Sequence, residues 1–290
     1  MSQFLKTIQQ IVHCDSVEPF HGIRRHLHWQ VRKALHRFPC ELPISGSRLY
    51  VDRPGGVAAL VNAMGEYDFN NMRFLKCLLS SMGGTFIDVG ANIGVYTLIA
   101  SEVANAQVVS IEPHPTTFAL LKENVQLNVR HNVSCMNVAL SYRDGELQFT
   151  DYQERAVNRV VSSGEGGGSK LRVASRRFDA LCRELSVVPD FVKIDVEGHE
   201  CELLEGFGDF RAGAKIILIE GGEKQEVQNW MKAAGYTGPW FVHFNDKVLT
   251  TGRQRRSEDP VFIHSGFVSQ LSYLNFDFIG QRADTRVSRA

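Results

Sequence analysis

The sequence has no surplus of charge. Its 32 Lys and Arg residues are balanced by 32 Asp and Glu residues over 290 positions. It therefore lacks the basic excess with which a general nucleic-acid binder displaces counterions from phosphates. It has no run of about 18 apolar residues, so no segment reads as a membrane-spanning helix. The start, MSQFLKTIQQIVHCD, lacks the apolar stretch of a signal peptide. Cysteine is scattered: Cys14, Cys40, Cys77, Cys135, Cys182 and Cys201 contain no Cys-x-x-Cys pair. Zinc-knuckle and thioredoxin-like chemistry are thereby excluded, and the thiols read as reduced, mostly buried residues of a cytoplasmic protein. What remains is ordinary globular composition, 43% hydrophobic and 22% charged. The length suits one large domain, or one domain with an appendage.

Charge and pattern are unevenly distributed. Residues 1–40 hold six basic side chains against Asp15 and Glu18, a local charge of +4. Ile23, Leu27, Val31 and Leu35 recur every four residues there, with Trp29 nearby, which is a helical stripe. Two readings stand: a helix whose stripe packs on the main domain with its charges in solvent, or a surface helix touching anionic lipid or polymer at the inner face of a membrane. Farther on, Arg48–Val51 reads as a strand, and Phe69–Ser80 as a helix with Met72, Leu75, Leu78 and Leu79 inward. From residue 85 short β-branched runs alternate with helical stretches: Thr85–Val89, Val108–Ile111, Val133–Asn137, Phe191–Ile194 and Ile216–Ile219 are the runs. This alternation predicts an α/β fold, a mostly parallel sheet with helices on both faces and its ligand beyond the strands' carboxyl ends. Gly164–Ser169 reads as a flexible loop or a substrate lid. The expected organisation is a basic helical appendage (1–45), the main domain (46–280) and a polar tail (281–290).

The stretch Phe86-Ile87-Asp88-Val89-Gly90-Ala91-Asn92-Ile93-Gly94 is the most informative. It is a buried strand ending in an acid, then a glycine loop, then an apolar helix. Nicotinamide-binding loops show G-x-G-x-x-G, whereas the spacing here is G-x-x-x-G. A carboxylate at Asp88 would repel a pyrophosphate on the helix N-terminus and suits a cationic ligand instead. Glu112, at the tip of the next strand, stands where a ribose diol is held, with Pro113 and Pro115 bracketing the following turn. Gly90 and Gly94 supply close backbone approach, and Asn92 can bond the loop or the ligand.

These residues, with Ile111-Glu112-Pro113 and Lys193-Ile194-Asp195-Val196-Glu197-Gly198-His199-Glu200, resemble the FkbM family of methyltransferases over roughly residues 66–264. Gly65-Glu66-Tyr67, Asn137-Val138-Ala139-Leu140-Ser141 and Ile217-Leu218-Ile219-Glu220 are also similar. In Arg177-Phe178-Asp179 the family more often has an aliphatic residue directly before the Asp, and the glycine-rich insert is this chain's own. The resemblance implies a Rossmann-like class I methyltransferase with a seven-stranded sheet. It implies S-adenosylmethionine as cofactor and a hydroxyl of a sugar, polysaccharide or polyketide-type molecule as acceptor. The cofactor set expected is Asp88, Gly90, Asn92, Gly94, Glu112 and Pro113, with Asn137 and Val138 toward adenine and Asp195 toward the methionine end.

Asp195, Glu197, Glu200 and Glu220 should converge at neighbouring strand ends. A sugar hydroxyl is a poor nucleophile, so a general base helps, and burial with mutual repulsion raises a carboxyl pKa as a base requires. Glu197 is the first choice; Asp195, His199 and Glu220 are the other catalytic candidates, and Glu200 reads as a helix-capping acid. The same acids suit a divalent cation, but no acid-plus-histidine spacing compels one, and the expectation is a metal-free mechanism. A DNA adenine methyltransferase is disfavoured because no Pro-Pro-aromatic motif follows Asp195. A non-catalytic scaffold of a glycan-assembly complex would not need all three acidic motifs.

Overall fold

A computed structural model describes residues 3–12, 17–152, 157–161, 168–252 and 259–279. Cys14, Gly164–Gly167 of the glycine-rich loop and the 281–290 tail lie outside the described residues. Two helices, α1 (Gln3–Val12) and α2 (Pro19–Ala34), precede a hairpin of β1 (Cys40–Ile44) and β2 (Ser47–Val51). Helices α3 (Gly56–Met64) and α4 (Phe69–Met82) lead into the alternating part. There follow β3 (Gly84–Val89), α5 (Val95–Ser101), β4 (Ala106–Ile111), α6 (Pro115–Leu127) and β5 (Val133–Met136). A small sheet comes next, with β6 (Ala139–Leu140), β7 (Gly145–Thr150) and β8 (Lys170–Arg176) in the order β6-β8-β7. The chain then runs through α7 (Phe178–Leu185), β9 (Phe191–Ile194), α8 (Glu200–Glu205), β10 (Ile216–Ile219) and α9 (Gln225–Ala233). It closes with β11 (Tyr236–His243), β12 (Val248–Thr250), β13 (Val261–His264) and β14 (Asp277–Ile279). No helix among the described residues is long and apolar enough to cross a membrane.

The main sheet has the order β14-β12-β11-β13-β10-β9-β3-β4-β5. Strands β5, β4, β3, β9 and β10 are mutually parallel, and β13 lies antiparallel between β10 and β11. The Rossmann-like seven-stranded arrangement is there, and two edge strands extend it to nine. The extension follows from apolar positions beyond β11: Leu249 of β12 is fully buried, and Phe278 of β14 meets Trp240 edge to face at 4.9 Å. The chain leaves β3 toward β4 on one side and returns to β9 on the other. Strand order switches there, and a cleft opens at such a point.

Each strand sends alternate residues to opposite faces. Phe86, Val108, Phe191 and Leu218 pack beneath α4 and α5, where the expected Met72, Leu75, Leu78 and Leu79 all point inward. Ile87, Ile111, Ile194 and Ile219 pack beneath α7, α8 and α9, against Leu181, Leu203 and Met231. Phe178 and Phe207 stack there with centroids 3.9 Å apart and planes 1° from parallel. The five described cysteines are free, and only Cys182 is fully buried; the others are half-buried rather than buried as expected.

Of the expected α2 stripe, Ile23 packs inward beside the buried Ile11, Ala63 and Met64, but the other three residues do not. Leu27, Val31 and Leu35 are about half exposed, whereas Gly22, His26 and Trp29 form the buried face. A Cβ at Gly22 would overlap the Ile11 side chain, so close approach at a glycine and the bulk of Trp29 decide which face turns inward.

A fully buried amide on α6 joins the hairpin to the glycine loop. Asn124 Oδ1 accepts from the Tyr50 N–H at 2.6 Å, and its Nδ2 donates to the carbonyls of Tyr50 (3.2 Å) and Ile93 (2.9 Å). Because Ile93 belongs to the glycine loop, the same side chain braces that loop. Asn124→Leu leaves these backbone groups buried without partners. We expect it to lower unfolding free energy by about 2–3 kcal/mol, measured by urea denaturation.

Candidate active site

The cleft is built from strand ends. Val89 ends β3, and Gly90 and Asn92 follow it; Ile111 ends β4, and Glu112 and Pro113 follow it; Asp195, Val196, Glu197 and His199 follow β9; Glu220 follows β10. The small sheet closes one side through Leu140 and Phe149, with Asn158 and Val160 of the segment after β7 beside them, and Val57 of α3 closes another. The catalytic candidates expected from the sequence, Asp195, Glu197, His199 and Glu220, all line this one cleft.

Gly90 and Gly94 have φ of +77° and +95°, which favours glycine. A Cβ on Gly90 would overlap the carbonyl oxygen of Asp195. The glycine is thus required by the close passage of two strand ends, in addition to any need of a ligand. Gly94 starts α5, and a Cβ there would sit 2.8 Å from Leu121. Asn92 has φ +51°; its side-chain oxygen accepts from the Ile93 N–H at 2.8 Å, and its own N–H donates to Glu112.

Glu112 is buried and receives N–H bonds from Asn92 at 3.0 Å and His114 at 2.9 Å, one on each carboxylate oxygen. Burial outweighs these bonds and pushes its pKa up to about 7. Asp88 lies deeper, 1% exposed, beneath the loop rather than on the cleft wall. Its Oδ2 accepts from Thr97 Oγ1 at 2.7 Å, while its Oδ1 is buried without a partner among the described residues. Burial raises its pKa, against the pull of Lys193 and Thr97. A diol and an ammonium group complement this donor-poor set of acceptors, so the residues present fit S-adenosylmethionine. Asn137 is placed differently from the adenine-side expectation: its Nδ2 donates to the carbonyls of Glu112 and Pro113, each at 2.9 Å, which pins the strand-end turn. Its neighbour Val138 does line the cleft.

Lys193 was not singled out from the sequence, although a lysine inside the apolar run Phe191–Ile194 was a visible signal. It is buried, pairs in register with Asp88 across the sheet, and its Nζ stands 3.0 Å from Asp195 Oδ2. Burial alone would lower its pKa, but Asp195 and Asp88 outweigh that and hold it protonated. Burial likewise would raise Asp195, yet the Lys193 ammonium and hydrogen bonds keep it below the ordinary carboxylate range. Glu220 takes the opposite role: burial and the Asp195 charge push its pKa to about 9, and it donates a hydrogen bond to Asp195. At neutral pH Glu220 therefore carries a proton.

Glu197 sits at φ +51° on the turn after β9, a conformation that non-glycine residues rarely adopt. Burial, Asp195 and Glu200 raise its pKa, while Arg159 and Lys193 restrain the rise. Its carboxylate makes no hydrogen bond among the described residues. Single ligand atoms of Asp195, Glu197 and Glu220 lie within 4.8 Å of one another, a spacing a cation would also accept. Lys193 already supplies a positive charge at that point. His199 Nε2 hydrogen-bonds Ser141 Oγ at 2.9 Å, Glu202 lies 3.6 Å from Nδ1, beyond hydrogen-bond reach, and burial lowers the imidazole pKa, which favours the neutral ring. Glu200 is buried, accepts from the Gly198 N–H at 2.8 Å and pairs with Lys224 at 2.6 Å, which is the capping role expected of it.

Residues 88–237, just over half the chain, match the family model described as the methyltransferase FkbM domain. Curated relatives are similar over shorter stretches. The hexuronic acid methyltransferase AglP of Haloferax volcanii is 33% identical over 46% of this chain and 54% of its own. Methyltransferase 1 of Beauveria bassiana is 25% identical over 42% of this chain and 58% of its own. Methyltransferase sdnD of Sordaria araneosa is 28% identical over 41% and 59%. The chain thus spans a little over half the length of the curated relatives it matches.

The raised pKa of Glu112 would make the binding of any ligand held by its carboxylate depend on pH. Hydroxyl donors favour the ionised carboxylate, which is scarce below about 7 and dominant above it. Calorimetry with S-adenosylmethionine should show affinity rising about tenfold from pH 6 to 8. Glu112→Gln should bind more weakly and lose that slope. Separately, Gly90→Ala should abolish binding and lower the melting temperature, because strand ends must part to admit the methyl group.

Proposed function

The chain belongs to the FkbM methyltransferase family, and from that premise we propose that it is an S-adenosylmethionine-dependent O-methyltransferase acting on a hydroxyl of a sugar or glycan. The hexuronic acid methyltransferase among its relatives supports a sugar acceptor over other hydroxylated molecules. When bound, the cofactor supplies an electrophilic methyl group on a sulfonium. The observation that carries the reading is the meeting of Asp195, Glu197 and Glu220 in the same cleft as Glu112 and the glycine loop.

Glu112 holds the ribose hydroxyls, with its two backbone bonds keeping the carboxylate in place. Gly90, Asn92 and Gly94 shape the loop against the ligand, and Pro113 and Val138 wall its base side. Asp88 acts from beneath through charge. Asp195, kept ionised by Lys193, attracts the cationic end of the cofactor and can accept a hydrogen bond from the acceptor. Glu220, carrying its proton at neutral pH, cannot accept another there and serves as a donor. His199 is tethered through Nε2 to Ser141 and orients the turn. Glu197 is the group best placed to take the acceptor's proton: it is ionisable, its pKa is raised, and its oxygens make no hydrogen bond among the described residues. Lys193 offsets the clustered acids, so the mechanism has no need of a divalent cation.

Glu197→Gln should leave cofactor affinity unchanged and lower turnover by about 10²–10⁴-fold, read as S-adenosylhomocysteine release with uronic-acid-containing oligosaccharides. Turnover should withstand a chelator. A wild-type chain that binds no S-adenosylmethionine, or releases no product from any hydroxylated acceptor, would overturn the assignment.

A further inference from the structure

Helix α2 carries an exposed apolar line. Phe20 is 73% exposed, Leu27 48%, Val31 56% and Leu35, its C-terminal neighbour, 53%. Spacings of seven, four and four residues place them on one side of the helix, opposite the buried Gly22, His26 and Trp29. Single exposed apolar residues are ordinary, but a continuous line along a helix marks a contact surface. Arg24 lies on the same line and is exposed.

Beside the line is a basic hollow of about 400 Å³, walled by Arg25, His28, Arg32 and Arg37. Val31 and Leu35 belong to both the line and the hollow. The floor is Asn62 of α3, which donates to the Arg25 carbonyl at 3.0 Å. From residue 17 to 40 the sole acid is Glu18, and it is bonded to His21 at 3.0 Å.

We infer that this face of α2 docks on an anionic lipid bilayer, with the apolar line entered among the head groups and a lipid phosphate held in the basic hollow. Charge and hydrophobicity together select that occupant. A soluble polyanion would match the arginines and leave Phe20, Leu27 and Val31 in water. A second copy of the chain would cover the apolar line, but a two-fold contact sets the same arginines against each other. A bilayer with acidic head groups satisfies both halves of the surface. The inference is independent of the acceptor's identity. It has a geometric consequence, because α3 packs against α2 and also supplies Val57 to the cleft wall. Docking therefore holds the cleft one short helix away from the lipid.

The test is co-sedimentation of the full chain with vesicles of phosphatidylcholine, alone or with one-third phosphatidylglycerol, at low and high salt. Binding to the anionic vesicles should be at least about tenfold stronger and should weaken with salt. Leu27→Ser/Val31→Ser and Arg25→Gln/Arg37→Gln should each reduce it about tenfold, with melting temperature and S-adenosylmethionine affinity unchanged. The inference is overturned if anionic vesicles are not bound, or if Leu27→Ser/Val31→Ser binds them as wild type does. It is equally overturned if inorganic phosphate or a soluble polyanion is bound without vesicles. A dimer that dissociates in Leu27→Ser/Val31→Ser, with no vesicle binding, would assign the face to a second copy instead.

Discussion

A buried lysine in the middle of a parallel sheet constrains everything at its carboxyl edge. Register places Ser110, Asp88 and Lys193 side by side on β4, β3 and β9, all on the face covered by α5. Thr97 of α5 bonds both Asp88 and Ser110 at 2.7 Å, and Tyr96 lies with its ring 5.1 Å from the Lys193 ammonium. Tyr96 in turn bonds Asp68 at the head of α4. An ammonium taken from water needs compensation close by, and here two carboxylates give it, Asp88 from the neighbouring strand and Asp195 from two residues farther along the chain. Glycine at position 90 is part of the same arrangement, since it lets β3's end pass close to the Asp195 carbonyl.

One lysine among three acids also decides where protons reside. Lys193 favours the charged form of Asp195, and the charged Asp195 disfavours that of Glu220. The result is an ionised acid and a protonated acid in contact, with Glu197 nearby under weaker influence. Similar side chains thereby acquire different work through placement alone. His199, the residue whose intrinsic pKa best suits a base, is less favoured for a geometric reason: its Nε2 is already engaged by Ser141 Oγ at 2.9 Å.

The central strands were legible because both sheet faces are covered, so Phe191–Ile194 and Ile216–Ile219 read as unbroken apolar runs and fall at the expected boundaries. The acids at their tips were legible for a related reason: a charged residue ending such a run has little place except the sheet's mouth. Less was readable where pattern gives a face without giving its direction. The four-residue repeat in α2 is real, yet Gly22 and Trp29 turn all of it but Ile23 outward. Edge strands β12 and β14 are three residues each, too short for alternation to register. Asn137 and Asn124 show a further limit, because an amide that pins backbone carbonyls looks the same in sequence as one that meets a ligand.

Helix α3 joins the two surfaces that the N-terminal part brings together. Its nine residues begin at a cleft-lining position, Val57, and reach the basic hollow at Asn62. Its inward side chains Ala58 and Val61 are sealed into the core that also holds Trp29 of α2 and the inner faces of the hairpin. A rigid shared core transmits displacement poorly by bending and well as a body. A partner that orders α2 would thus carry α3 with it and fix Val57 at the cleft wall. The uneven charge of the chain, positive over its first 40 residues and acidic at the strand ends, then has a structural counterpart: one short helix separates the surface suited to anions from the cleft suited to a cation.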